Sequence, residues 1–260
     1  MGILNVTPDS FSDGGEYDEV ERAVARALAM INEGADIIDI GGESTRPNAE
    51  VVSEEEEIAR VVPVIDRLSG QTEALISIDT QKPAVAEAAL DAGARIVNDI
   101  AANRESPEMW ELVASRNAGY VAMHMQGTPQ TMQADPQYED VLAEVAEFFA
   151  RCLEQMRASG IRDEQVVFDV GIGFGKTLEH NLRLLGGLRT FKKLRRPQLL
   201  GVSRKSLFGK LLGLDVDLRL APGLACAAWA LTNGVKILRV HDVAETVQAA
   251  RMIEAIVERA

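Results

Sequence analysis

Asp79, Asn98 and Asp169 stand at the ends of three separate short apolar runs, and Arg46, Arg204, Lys205, Arg239 and His241 fall just past the ends of three others. Carboxylates and amides gathered from different strands can accept paired N–H donors from the guanidine-like edge of a flat heterocycle. The cations suit a polyanion, because the guanidinium fork matches phosphate oxygens. Each residue alone has a plainer reading: a strand-end Arg or Lys can pair with Asp79, Asp99 or Glu43, and a lone buried Asp is more often a cap. As a set they mark a site. Asn5 closes the first run, just before the polar stretch Thr7-Pro8-Asp9-Ser10-Phe11-Ser12-Asp13-Gly14-Gly15. Beside a diphosphate, its side-chain oxygen would suit Mg²⁺, which takes one or two protein groups and completes its shell with phosphate and water.

Other motifs carry less. His124, His180 and His241 show no zinc-ligand spacing, and His180 reads as a surface residue at a helix start. Gly171-Ile172-Gly173-Phe174-Gly175-Lys176-Thr177 is not a Walker loop, since Val170 stands where the first glycine belongs, and Lys176 breaks the dinucleotide fingerprint. The segment reads as a tight strand-to-helix turn that presents Phe174 as a flat apolar wall. Glu54–Glu57 reads as a solvated first helical turn, and Cys152 and Cys226 as buried free thiols. A net charge of −13 argues against nucleic acid as a partner.

Rim residues need elements to hold them. Eight apolar runs do so: Gly2–Val6, Asp36–Ile40, Leu75–Ile78, Ile96–Val97, Tyr120–Met123, Val166–Phe168, Gln198–Val202 and Lys236–Leu238. Between them lie helical patterns. Asp18–Asn32 places Val20, Val24, Leu28 and Ile31 on one stripe, and Ser53 with Glu56 forms a capping-box start to the next. Pro83–Ala92 stops at Gly93, Ser106–Pro107 opens another, and Asp140–Ser159, Glu179–Leu188, Arg219–Asn233 and Ala244–Arg259 complete the series. Strand and helix alternating eight times over 260 residues predicts a single-domain closed (β/α)8 TIM barrel spanning 1–260, with functional groups at the C-terminal ends of its strands. A composition of 47% hydrophobic and 26% charged residues, with no stretch near membrane-span length and no basic leader with a cleavage site, predicts a cytoplasmic protein with no membrane partner.

Met1-Gly-Ile-Leu-Asn-Val-Thr-Pro-Asp-Ser-Phe-Ser-Asp-Gly-Gly15, Gly41-Gly-Glu-Ser-Thr-Arg-Pro47, Asp79-Thr80, Asn98-Asp99-Ile100, Met123-His-Met-Gln-Gly-Thr-Pro129, Gly171-Ile-Gly-Phe-Gly-Lys176, Ser203-Arg-Lys-Ser206 and Arg239-Val-His-Asp242 together resemble the bacterial dihydropteroate synthase family, in order along essentially the whole chain. The resemblance implies a folate-pathway transferase that joins 7,8-dihydropterin-6-ylmethyl diphosphate to para-aminobenzoate, releasing diphosphate and dihydropteroate. It implies that Asp79, Asn98, Asp169 and Lys205 hold the pterin. Arg239 and His241 would hold the diphosphate, with Thr45 and Arg46 closing over the reacting groups, and Asn5 would ligate Mg²⁺. Phe174, Pro47 and Ser206 would border the aminobenzoate, Ser206 offering its carboxylate hydrogen-bond donors at the start of the seventh helix. Lys205, Asp169 and Arg46 would carry catalysis.

The family pattern usually has residues before the first strand. The match from Met1 therefore leads to the expectation of a shortened first strand with no N-terminal hairpin, and of a gain in thermal stability from an upstream extension. Asn48 and Val170 replace residues usual in the family, and Ala101-Ala102-Asn103 stands where small polar residues are usual; these changes bear on substrate affinity rather than reaction type. A pterin-binding methyltransferase domain would share the Asp and Asn residues but have no need of Arg46, the Ser203–Ser206 run or the Arg239/His241 pair. A non-catalytic paralogue would usually lose the Asn5 and Thr45-Arg46 loops. The apolar residues Leu224, Trp229, Ile253 and Ile256 of the last helices lead to the expectation of a homodimer.

Overall fold

The computed structural model describes residues 1–7, 16–44, 52–102 and 106–259. Eight strands run parallel in one sheet, in chain order: β1 (Gly2–Asn5), β2 (Ile37–Gly41), β3 (Leu75–Asp79), β4 (Ile96–Asp99), β5 (Gly119–Met123), β6 (Val166–Asp169), β7 (Gln198–Leu200) and β8 (Ile237–Leu238). Helices alternate with them: α1 (Glu16–Asn32), α2 (Glu54–Ser69), α3 (Pro83–Ala92), α4 (Glu108–Arg116), α5 (Val141–Ala158), α6 (Leu178–Gly186), α7 (Ser206–Leu212), α8 (Leu220–Thr232) and α9 (Val243–Val257). The architecture is α/β and TIM-barrel-like, but contrary to expectation the barrel is not fully closed, since among the described residues β8 and β1 share no regular ladder.

Near-continuous apolar runs become strands here because helices cover the sheet from outside, so residues on both faces are buried. Ile38, Ile40, Ile78 and Val97 have no measurable exposure. Several helix signals act as read, although Pro107 caps α4 instead of opening it. Ser53 Oγ accepts the Glu56 backbone N–H at 3.2 Å, Asp140 caps α5 by accepting from Leu142 N, and Pro83 opens α3. On α2, Val61, Val64, Ile65 and Leu68 form the buried stripe, and α5 packs Phe149 flat on Phe168 of β6 at 4.3 Å between ring centroids.

Register fixes where the polar strand endings go. Asn5 pairs with Gly41, Asp79 with Asn98, and Met123 with Asp169, while Arg239 N donates to Leu200 O at 2.9 Å. The C-terminal ends of the strands therefore share one rim. Between β8 and β1 the pairing is thinner: one isolated bridge joins Gly2 to Val240, and the Met1 ammonium donates to Leu238 O at 3.0 Å. The expected shortening of the first strand is not seen, because β1 has four residues, as β4 and β6 do. After β7 the alternation gains a member, since the seven-residue α7 precedes α8.

Glu54–Glu57 differs from expectation. Glu54 to Glu56 are exposed, but Glu57 is fully buried and accepts Lys82 Nζ at 2.7 Å. Its position on the helix turns it toward the sheet, and a carboxylate there persists only when paired. Cys152 is buried and Cys226 half-buried, both as free thiols.

Candidate active site

Asp39 organises the rim, although nothing in the sequence analysis singled it out. It lies inside β2, is 1% exposed, and its Oδ2 accepts Arg239 Nε at 2.6 Å and Asn98 Nδ2 at 2.9 Å. Arg239 also donates through Nη2 to Asp79 Oδ2 at 2.5 Å. One guanidinium thus bridges two carboxylates from adjacent strands, and Asn98 on the next strand shares the first of them. Asp39 Oδ1 is buried with no hydrogen-bond partner among the described residues. A signal for Asp39 was present: an acidic residue between Ile38 and Ile40 must be paired to be buried.

Charge in this cluster is crowded. Burial pushes the Asp79 carboxyl up to about 7, against the pull of Arg239 and with Asp39, Glu57 and Asp99 adding to the rise. Burial lowers Arg239 less than Asp39 and Asp79 raise it, so it stays a cation. Across the rim, Asp169 accepts the Gly171 N–H at 2.8 Å; burial raises its pKa while Lys205 opposes. Burial brings the Lys205 ammonium down to about 8, with Asp169 resisting, Arg239 assisting and Asp79 resisting. Lys205 Nζ donates to Ile172 O and lies 4.6 Å from the centroid of the Phe174 ring. Acceptors and donors therefore face one another between β2, β3, β4, β6 and the loop after β7, which suits a planar ring carrying both N–H groups and lone pairs.

The remaining expected residues lie around this centre. His241 holds Ser203 Oγ through Nδ1 at 3.0 Å and through its backbone N–H at 3.2 Å. Arg204 is exposed and turns outward to a paired contact with half-buried Asp242, at 2.5 and 3.3 Å. Ser206 is the exposed first residue of α7, and Asn5 is exposed at the end of β1. A single exposed amide oxygen at the rim fits the small number of protein groups Mg²⁺ takes when phosphate supplies the rest. Among the described residues, no cluster of three His, Cys, Asp or Glu side chains forms a closed metal site. Thr45, Arg46 and Pro47 lie outside the described residues. Asp99 stands apart from the ligand-facing set: its Oδ2 accepts the buried Tyr120 hydroxyl at 2.6 Å and its Oδ1 the Ala101 N–H at 2.7 Å, which shapes the turn after β4.

His180 is less a surface residue than its position implied. It is half-buried, its Nδ1 accepts the Thr177 N–H at 3.3 Å, and its ring stands edge-on to Tyr138 at 4.9 Å. Lys176 ends a glycine motif that binds no phosphate in the sequence reading, and Lys82 carries no motif signal. Both are held by several acceptors, Lys82 by Glu57 at 2.7 Å, Glu43 at 2.9 Å and Val52 O at 2.7 Å.

Known proteins share this arrangement. The family model described as pterin binding enzyme matches residues 1–241. Dihydropteroate synthase of Escherichia coli K12 is 49% identical over 255 residues, covering 98% of this chain and 90% of that protein. The structure of Xanthomonas albilineans dihydropteroate synthase with 4-aminobenzoic acid superposes with a TM-score of 0.92 at 45% identity, covering 98% of this chain and 92% of the other. The same enzyme in complex with 7,8-dihydropteroate superposes at 0.89 with 43% identity over the same shares. No helix among the described residues is long and apolar enough to cross a membrane. The rim geometry and these likenesses agree, and the chain belongs to the pterin-binding enzyme family, among its dihydropteroate synthases.

Proposed function

We propose that this chain condenses 7,8-dihydropterin-6-ylmethyl diphosphate with para-aminobenzoate, forming 7,8-dihydropteroate and diphosphate, as a single domain over 1–260 built on a (β/α)8 barrel and working in the cytoplasm. The observation that carries this reading is the buried cluster of Asp39, Asp79, Asn98 and Arg239, in which Asp39 Oδ1 is a buried acceptor with no partner among the described residues. Asp79, Asn98, Asp169 and Lys205 hold the pterin, and Asp39 joins them.

The reaction breaks the C–O bond between the pterin methylene and the diphosphate and forms a C–N bond to the aminobenzoate nitrogen, which gives up a proton. As C–O cleavage runs ahead, the pterin methylene becomes electron-poor and the leaving diphosphate gains charge. Groups preset for both changes bind the transition state more tightly than the substrate. Asp169 and Asp79 favour the electron-poor pterin, while Thr45, Arg46, Arg239 and His241 draw off the diphosphate. Lys205 holds the pterin opposite Asp169, and with Arg46 and Asp169 forms the catalytic set. Asn5 would hold Mg²⁺, whose chemistry is to neutralise charge on diphosphate oxygens. Phe174, Pro47 and Ser206 border the aminobenzoate. A second copy of this chain completes the assembly as a homodimer through the exposed apolar face of α8 and α9.

The test incubates the purified protein with dihydropterin diphosphate, Mg²⁺ and para-aminobenzoate, and follows diphosphate release with and without the aminobenzoate. Dihydropteroate should form only in the complete mixture. A folded protein that forms none would be a non-catalytic pterin binder.

A further inference from the structure

The loop from Gly171 to Lys176, between β6 and α6, has four successive carbonyls, and each is taken by a side chain from a different place. Ile172 O accepts Lys205 Nζ, Gly173 O accepts Gln133 Nε2 at 2.6 Å, Phe174 O accepts Lys176 Nζ at 2.9 Å, and Gly175 O accepts the Tyr138 hydroxyl at 2.9 Å. A surface loop normally leaves such groups to water. Here the backbone is fixed point by point.

Lys176 is the buried member of that set. It is 1% exposed, and its Nζ also meets His124 O at 3.1 Å and His124 Nδ1 at 3.0 Å. An ammonium has three donors and no acceptor, so three acceptors satisfy it, and His124 Nδ1 must face it as a lone pair with the proton on Nε2. His124 in turn is bound at its base, since its N–H donates to Asp169 O at 3.0 Å, continuing the β5–β6 ladder by one step. Phe148 stands edge-on to its ring at 4.8 Å. The two loops also touch backbone to backbone: a Cβ on Gly171, where φ is +68°, would sit 1.9 Å from His124 O. Glycine is required there.

The outward end of this chain of contacts is the Phe174 ring, whose face carries Lys205 Nζ. We propose that Lys176 and His124 are a positioning pair: they fix the Phe174 carbonyl from below, and so set the height of the phenyl wall and the Lys205 ammonium against which the second substrate, an aromatic amine, must lie. Neither residue touches substrate. This inference rests on the placement of para-aminobenzoate at Phe174 proposed above. It gives a role to a buried histidine that the reaction itself does not use, and it explains why a lysine follows the glycine loop without serving as a phosphate ligand.

Lys176→Met keeps the stem and removes all three donors, and His124→Leu removes one acceptor while leaving the two carbonyls in place. Both should raise KM for para-aminobenzoate about tenfold, with the affinity of the free enzyme for dihydropterin diphosphate, measured by calorimetry, held within about twofold. His124→Asn, which restores an acceptor near the Nδ1 position, should recover most of the loss. If Lys176→Met does not fold, the His124→Leu and His124→Asn pair decides by the same criterion. Equal loss for both substrates, or an unchanged KM for the aminobenzoate, overturns the proposal. Wild-type protein assayed alongside separates the two claims: if it turns over normally while the variants show no split, the positioning role fails, and if it makes no dihydropteroate, the proposed function fails instead.

Discussion

Arg239 Nε lies 2.6 Å from Asp39 Oδ2, a contact between residues 200 positions apart that ties the last strand to the second. Asn98 binds the same oxygen, so one carboxylate joins three parts of the rim. Removing it strands part of a buried cation and an amide donor together. Asp39→Ala should lower folding stability by about 3 kcal/mol, the low end for breaking a buried pair because Asp79 keeps one arm of the guanidinium engaged. Denaturant unfolding measures this. A loss under about 1 kcal/mol would mean that the cluster is a ligand site with no structural share.

The pH dependence of turnover follows from the two displaced titrations. Asp79 must be ionised to accept N–H groups and is pushed up to about 7, while Lys205 must be charged to donate and is brought down to about 8. The profile of kcat/KM should therefore be a narrow bell, rising through pH 7 and falling through pH 8. A flat profile from pH 6 to pH 9 would remove both groups from the free-enzyme titration.

Stability moves the other way for Asp79. Its folded pKa lies above the ordinary 3.8, so the native state holds a proton that the unfolded chain has released. The unfolded state then binds fewer protons, and stability from this group, full below pH 3.8, is lost as pH rises through 7. Asp79→Asn should melt higher than wild type at pH 8, with the advantage shrinking toward pH 5, while losing most turnover. A variant that gains no more at pH 8 than at pH 5 would show that Arg239 outweighs burial at this site.

What was legible in the sequence was whatever repeats. Strand endings such as Asp79, Asn98 and Asp169 recur with the period of the fold, so a register of parallel strands brings them to one rim whatever the details. Asp39 escaped because it sits inside a strand rather than at its end, and only its partners reveal what it does. Glu57 escaped for a related reason: four consecutive glutamates look alike in composition, and which of them faces the sheet depends on the helix phase set at Ser53. Lys176 and His124 are 52 positions apart and meet only because Gly171 lets two loops touch. The Thr45-Arg46-Pro47 motif was readable as sequence but lies outside the described residues.

Lys82 offers a cleaner test of a buried ion pair. Its Nζ is shared by fully buried Glu57, by Glu43 and by Val52 O, and Glu43 Oε1 accepts the Val52 N–H at 3.1 Å. Residues on either side of the 45–51 segment are thus joined through one ammonium. Lys82→Met leaves a buried carboxylate without its cation and should cost about 3–5 kcal/mol. Adding Glu57→Gln removes that charge, so the double variant should be more stable than Lys82→Met alone, a non-additivity read directly by a double-mutant cycle. Additive losses would mean that Glu57 and Lys82 are not energetically coupled.

The exposed apolar side chains of the last helices give the final prediction. Trp229 is 50% exposed on α8, and Met252 and Ile256 are 62% and 50% exposed on α9. These two helices pack on each other, so the residues lie on neighbouring elements, and Trp229 is anchored by its Nε1 donating to Leu185 O at 2.8 Å. Large exposed apolar groups on neighbouring helices favour burial against a partner, and a second copy of this chain would supply a matching face about a twofold axis. Light scattering on the eluting protein should give twice the 28.2 kDa chain mass. Met252→Glu with Ile256→Glu should return it to the mass of one chain, because two buried carboxylates per subunit would face each other across the axis. A wild-type protein that elutes as a single chain would refute the homodimer, and a double variant that remains paired would place the contact on another surface.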